Sequence, residues 1–163
     1  PSLWFDKNCE EAISYYVKTF NGAPDSKKNS KVISITRYTK EMQAPWVAEM
    51  VGKVITAIFE LNGQRFMALD GGPIFKFNEA VSFFIDCKDQ KEVDYFWKKL
   101  SHVPESEQCG WVKDKYGVSW QIIPKQLGEL LMDKDKEKAM RVMNAMLKMK
   151  KIIVADLEKA YAG

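Results

Sequence analysis

Two short hairpins at corresponding places constrain this chain more than any other feature. In the first, apolar runs over 54–61 and 64–69 flank Asn62-Gly63, a dipeptide that tolerates the positive backbone angles of a tight hairpin turn. In the second, spanning 110–124, short apolar runs flank Asp114-Lys-Tyr-Gly117. Phe66 follows Gly63 by three residues, and Trp120 follows Gly117 by three. What precedes each hairpin also corresponds. Leu3-Trp4-Phe5 reads as a strand end, and Asp6 to Asn8 offer a helix N-terminus with Glu10 and Glu11 at its positive end. Ala12, Ile13, Tyr16, Val17 and Phe20 then recur at helical spacing as far as Asn21-Gly22, and 31–39 alternates like a strand. Further on, 80–87 reads as a strand, and Asp89 opens a helix with Val93, Phe96, Trp97 and Leu100 on one face. Strand, helix, strand, strand, strand is thus written twice, with Gly71-Gly72-Pro73 as the seam. The expectation is an α+β fold whose curved sheet encloses a cavity between its halves.

The tail follows neither copy. Residues 127–131 predict a short helix, and Asp133 is placed to cap a longer one carrying Met140, Met143, Met146 and Leu147. A last helix over 152–161 repeats Ile153, Leu157 and Tyr161 every four residues. The methionines suit an adaptable packing surface against the sheet or a second subunit. At 163 residues, 46% apolar and 29% charged, the chain is of single-domain size and soluble composition, with no run of about 18 apolar residues to span a membrane. No basic n-region followed by an apolar h-region opens the sequence, so the expected location is cytoplasmic. Cys9, Cys87 and Cys109 are odd in number and scattered, and His102 is the one histidine, which argues against both a disulfide framework and a zinc site. The net charge of +3 is dispersed, and Lys27-Lys28 and 148–151 are too short for a nucleic-acid platform.

Five segments in one order carry a resemblance: Leu3-Trp-Phe-Asp-Lys-Asn-Cys-Glu-Glu-Ala12, Phe66-Met-Ala-Leu-Asp-Gly-Gly-Pro73, Phe75-Lys-Phe-Asn-Glu-Ala80, the 110–124 hairpin and Ala139-Met-Arg-Val-Met143. Together they resemble the PhnB-like family, often labelled 3-demethylubiquinone-9 3-methyltransferase, of the glyoxalase, bleomycin-resistance and dioxygenase (vicinal oxygen chelate) superfamily. The resemblance implies a glyoxalase-like domain over 1–124, built of paired βαβββ modules at about 1–72 and 73–124, with 125–163 as a C-terminal helical extension. It also implies a homodimer that completes small-molecule cavities. Metal-dependent members draw ligands from the first and last strands of each module. Carried over, those positions are Pro1 or Ser2, Met67 or Ala68, Val81 or Ser82, and Gln121. Only Gln121 is a ligand of the usual kind, whereas a divalent ion wants about four, so no metal is expected. Asp70 would join Gln121 only in a shifted register. No glycine-rich turn links a strand to a helix as a methyl-donor cofactor requires, so no cofactor is expected either.

Alternation puts Ser119, Gln121 and Ile123 on one face of their strand and Trp120 and Ile122 on the other. With Gln121 facing the cavity, as the resemblance implies, Ser119 lies beside it and Ser82 and Phe84 point inward from the neighbouring strand, while Val81, Phe83 and Ile85 pack under the helices. Trp4, Tyr38, Phe84 and Trp111 supply aromatic walls, with Asp70 and Cys109 completing the predicted lining. Aromatics at strand positions are core more often than ligand walls, so the same residues also read as core. Cys109 as a nucleophile needs a base or local positive charge, and a buried structural thiol is the simpler reading. Asp70, Asp86 and Glu60 are candidate general bases or, equally, solvated strand-end carboxylates. The function expected is metal-independent small-molecule binding, with or without a reaction. The alternatives are sequestration of an apolar or aromatic compound, and a metal-dependent isomerase or dioxygenase. Neither nucleic acid nor membrane is an expected partner.

Overall fold

The structure, a computed structural model, describes residues 1–163 and divides into two compact units, Pro1–Phe77 and Asn78–Gly163. The first contains β1 (Ser2–Phe5), α1 (Cys9–Asn21), β2 (Lys31–Arg37), β3 (Val54–Leu61) and β4 (Gln64–Asp70), with strand order β1-β4-β3-β2. β1 runs parallel to β4, and the other pairs are antiparallel. Asn62 and Gly63 take φ of 49° and 86°, the two-residue turn their identities predict, and this fixes Leu61 opposite Gln64. Because side chains alternate, one sheet face gathers Leu3, Phe5, Ala57, Phe59, Phe66 and Ala68, all buried under the apolar stripe of α1. The opposite face carries Trp4, Ile58, Met67 and Leu69, half-buried and without a helix of this unit over them. Edge strand β2 is bulged at two places and carries Lys31 and Arg37 at its ends, features that discourage edge-to-edge pairing.

The second unit repeats this wiring with one strand fewer. β5 (Ser82–Cys87), α2 (Gln90–Leu100), β6 (Trp111–Lys113) and β7 (Ser119–Pro124) form a sheet of order β5-β7-β6, with β5 parallel to β7. Where β2 has its counterpart, the chain makes a short 3-10 turn over Pro104–Ser106, a bridge from Gln108 to Trp111 and a bond from His102 N–H to the Lys113 carbonyl. Residues 101–110 contain Pro104 and no apolar alternation, so they cover the edge of β6 without extending the sheet. α2 buries Val93, Phe96 and Leu100, and Ile85, Cys87, Val112, Trp120 and Ile122 are buried in the same unit. Val81 departs from expectation: it precedes β5 and is exposed instead of lying under a helix.

α3 (Lys125–Leu131), α4 (Lys136–Met146) and α5 (Val154–Ala162) complete this unit. Asp135, not Asp133, caps α4 by accepting the Glu137 and Lys138 N–H groups, while Asp133 accepts from Asp135 N–H and the Tyr161 hydroxyl. Leu127, Val142, Ile152 and Leu157 form a small core with Met146 and Met149 packed against it. The Arg141 guanidinium donates to the Ala160 and Tyr161 carbonyls at the end of α5. At its start, the Gln90 amide accepts from Val154 N–H and donates to the Ile152 carbonyl, fastening the extension to α2. No helix is long and apolar enough to cross a membrane.

Candidate functional site

In the second unit, register assembles the residues singled out from the sequence. Phe84 and Trp111 both pair with Gln121 across neighbouring strands, and Ser82 and Lys113 both pair with Ser119. Paired residues share a face, so Phe84, Gln121 and Trp111 form one row and Ser82, Ser119 and Lys113 the next, opposite the face that α2 covers. Gln121 Nε2 donates to Ser82 Oγ at 2.8 Å, which fixes the amide between its two aromatic neighbours. Phe84 is 60% exposed despite sitting in mid-strand. Ser119 is 2% exposed, and its Oγ has no hydrogen-bond partner. Leaving a buried hydroxyl unsatisfied costs about 1–3 kcal/mol, so this row keeps an unmet polar group beside Gln121. Lys113 pairs with Glu79, and that bond holds the Glu79 carboxyl below its ordinary range.

Cys109 stands apart from this row. It has φ of 49°, its N–H reaches the Met149 carbonyl at 2.9 Å, and its thiol meets the Met146 carbonyl at 3.6 Å. Gly110 follows at φ 86°, and a Cβ there would come within 2.5 Å of the Ile123 side chain. Cys109 and Gly110 therefore seat the C-terminal segment.

In the first unit, Asp70 closes β4 and its Oδ1 accepts Cys9 N–H at 2.9 Å. Asn8 makes no side-chain capping bond, so the carboxylate at the N-terminus of α1 comes from the last strand. Cys9 beneath it is buried, and burial, followed by the Asp70 charge, pushes its thiol up to about 12. Burial also raises the Cys87 thiol. Trp4 lies on the uncovered sheet face, with its indole N–H on the Gly72 carbonyl at 2.9 Å and its ring edge-to-face with Phe75 at 5.0 Å. Tyr38 meets Trp46 edge-to-face at 5.4 Å. Both rings line a cleft of about 930 Å³ that also takes in the first turn of α1 and Asp70. On its wall, Arg37 forms a two-pronged pair with Glu10 at 2.7 and 3.0 Å and donates to the Gly52 carbonyl. The bond from Arg37 holds the Glu10 carboxyl down.

Of the predicted lining, Ser82, Phe84, Trp111, Ser119 and Gln121 come together in one unit, and Tyr38 and Asp70 in the other. Glu60 is occupied by Lys31 and Arg65, and Asp86 is solvent-exposed. Sequence reasoning missed Trp46, Arg37 and Glu10 as cleft residues. The one local signal is Trp46 itself, a large aromatic directly after Pro45 in a connecting segment; Arg37 and Glu10 carry none. It also missed Asp114, which is 1% exposed and accepts from Tyr116 N–H, Val118 N–H and the Trp120 indole. The Asp-x-x-Gly spacing is its signal.

The sequence pattern of the 3-demethylubiquinone-9 3-methyltransferase family matches residues 1–123. The chain belongs to this family. Among solved structures, a PhnB protein of Bacillus cereus carrying the same methyltransferase description is 34% identical, with 76% of this chain and 95% of that one covered and a TM-score of 0.58. A protein of Pseudomonas aeruginosa is 20% identical over 76% of this chain and 94% of that one, with a TM-score of 0.56, a likeness of fold. No functionally curated protein matches.

The groups that the family's fold and name imply do not fit these residues. Where first and last strands meet, the first unit pairs Ser2 with Met67; in the second, Phe84 and not the expected Val81 or Ser82 pairs with Gln121, while the Ser82 hydroxyl is taken up by the Gln121 amide. A hydroxyl with a thioether, or a phenyl with an amide, is a poor donor set for a divalent ion, and no three His, Cys, Asp or Glu side chains converge. Gly71-Gly72 leads from β4 into a loop instead of a helix, and the space beside Gly71 is filled by the Trp4 ring, 2.2 Å from where a Cβ would stand. Gly72 is open, but no helix N-terminus follows it to receive a methyl-donor cofactor.

Proposed function

We propose that the chain binds a small molecule without a metal, using the row Phe84, Gln121, Trp111 as its recognition surface. The observation that supports this most is Gln121, held by Ser82 between two aromatic side chains and beside the partnerless Ser119 hydroxyl. Such a surface suits a flat apolar body carrying one or two hydrogen-bonding groups, with the rings giving area and the amide giving orientation. Its polar members are a neutral amide, two hydroxyls and a lysine engaged by Glu79. That set is suited to holding a molecule more than to covalent attack or proton transfer, which favours sequestration over turnover.

Exposed Val81, and separately exposed Ile74 and Phe75, leave apolar surface that a second copy of the chain would cover, supporting the homodimer reading. A thermal-shift screen of aromatic metabolites tests the site. A ligand at a hundred times its Kd stabilises by about 2.7 kcal/mol, and Gln121→Ala and Trp111→Ala are each expected to abolish most of that shift. A ligand whose stabilisation ignores both changes would sink the assignment, and a stoichiometric divalent metal in the purified protein would overturn metal independence.

A further inference from the structure

The cleft of about 930 Å³ belongs wholly to the first unit and shares no residue with the Gln121 row. We infer that it is a second binding site, for an organic cation with a compact aromatic or alkyl body, such as a protonated aromatic amine or a quaternary ammonium. Three observations converge. The first is the wall itself: Trp46 is 59% exposed and set edge-to-face against Tyr38, so an indole is held at the cleft when it has no core to fill. Trp46 rides on the 3-10 turn Pro45–Glu49, which is anchored by buried Val47, and this holds the ring in place. Indole is the side chain that attracts a cation most strongly through its ring face.

The second observation is charge. Asp6, Glu10, Glu11, Glu49 and Asp70 line the cleft against Lys7, Arg37 and Lys53, an acidic excess in a chain whose net charge is +3. A cleft focuses the field of its lining, so the local sign favours a cation while the surrounding surface does not. The third is how those charges are engaged. Arg37 is neutralised by Glu10, and Asp70 is turned to the backbone of α1. Glu49 has no ion-pair partner and belongs to the same turn as Trp46. A carboxylate and an indole on one turn form a cation receptor, whereas an anion would meet Glu10 and Glu11 in the first turn of α1. Lys7 and Lys53 also line the cleft, and they make a small monocation the better fit than a dication.

The test titrates the full chain with benzyltrimethylammonium at constant ionic strength, by calorimetry and tryptophan fluorescence, against benzenesulfonate as the anion with the same ring. Saturable one-to-one binding is expected, with the sulfonate at least about tenfold weaker, and a loss of about tenfold in Trp46→Ala and severalfold in Glu49→Gln. Trp46→Phe keeps a ring and should bind within about threefold of the parent, which separates a lost contact from a collapsed turn. Gln121→Ala should bind the cation unchanged. The inference is overturned if the sulfonate binds as tightly, if no saturation occurs, or if Trp46→Ala and Glu49→Gln both bind like the parent. If Gln121→Ala alone abolishes cation binding, the cation belongs to the Gln121 row, and the inference fails while the proposed function stands.

Discussion

Asp114→Ala is expected to destabilise the protein by about 3–5 kcal/mol, through three acceptor bonds lost at once. In the parent, Oδ1 accepts from Tyr116 N–H at 2.8 Å and Val118 N–H at 3.0 Å, and Oδ2 from the Trp120 indole at 2.8 Å. Tyr116 can regain water. The Val118 amide and the Trp120 indole cannot, since both residues are 2% exposed, and each buried donor left unmet costs about 1–3 kcal/mol. Losing the tight turn that Asp114 organises adds the remainder. Against a typical total of about 5–15 kcal/mol, that is a large fraction of the fold's stability. Asp114→Asn separates the contributions: one amide oxygen still serves both turn N–H groups, but the NH2 faces the indole N–H, for a cost of about 2–3 kcal/mol. In a Trp120→Phe background the Asn cost should fall to about 1 kcal/mol. Urea unfolding followed by far-ultraviolet circular dichroism measures all of these. An Asp114→Ala cost under about 1 kcal/mol, or an Asn cost unchanged by Trp120→Phe, would refute the reasoning. The hairpin also carries Trp111, Ser119 and Gln121, so the same variants should lose ligand-induced stabilisation beyond their loss of stability.

Three further outcomes are expected. With Cys9 raised to about 12 and Cys87 also raised by burial, a disulfide reagent at pH 8 should titrate at most Cys109 in the native protein and all three thiols in denaturant; rapid native reaction of two would contradict the burial. Gly71→Ala should displace the Trp4 ring and its bond to Gly72, shift tryptophan emission and cost about 1–3 kcal/mol, whereas a parental urea midpoint would show that the ring yields freely. Glu10, Glu79, Asp94 and Asp133 are held below their ordinary values by bonds from Arg37, Lys113, Lys151 and Tyr161. Between the native and ordinary values the unfolded chain binds more protons, so this stabilisation is present above pH 4.5 and lost as the pH falls through the native values. These pairs are solvent-accessible, so the expected decline is modest; a urea midpoint flat from about pH 6 to pH 3 would count against them.

What the sequence made legible was local. The Asn62-Gly63 turn, the helical stripe through Ile13, Tyr16 and Phe20, and the alternation through Trp120, Gln121 and Ile122 each rest on a few neighbouring residues, and each appears in the structure. Alternation alone therefore put Ser119 and Gln121 on one face. The cleft was illegible because its wall draws on four separated stretches: the start of α1, the end of β2, the turn around Trp46 and the end of β4. Periodicity within one stretch does not reveal which others it will meet. Asp133 was misread as the α4 cap because Asp133 and Asp135 are both good capping types two residues apart, and only backbone geometry decides between them. The fourth strand of the second unit was anticipated from the repeat, but residues 101–110 lack the alternation a strand needs.

The two copies also differ in how each caps its helix, and the difference follows from one register position. Phe5 pairs with Asp70 in the first unit as Cys87 pairs with Pro124 in the second. Where the last strand ends in Asp70, a carboxylate reaches the Cys9 N–H, and Asn8 makes no side-chain capping bond. Where it ends in Pro124, the strand runs directly into α3 and has no acceptor side chain to offer. α2 accordingly carries its own cap: Asp89 accepts Glu92 N–H at 2.9 Å, and the Glu92 carboxylate returns to Lys88 N–H at 2.7 Å. Substituting either effective cap by alanine should cost about 1 kcal/mol, whereas Asn8→Ala should cost little. Asn8→Ala matching Asp70→Ala would mean that α1 is capped locally after all, and that the strand-borne carboxylate has some other role at the mouth of the cleft.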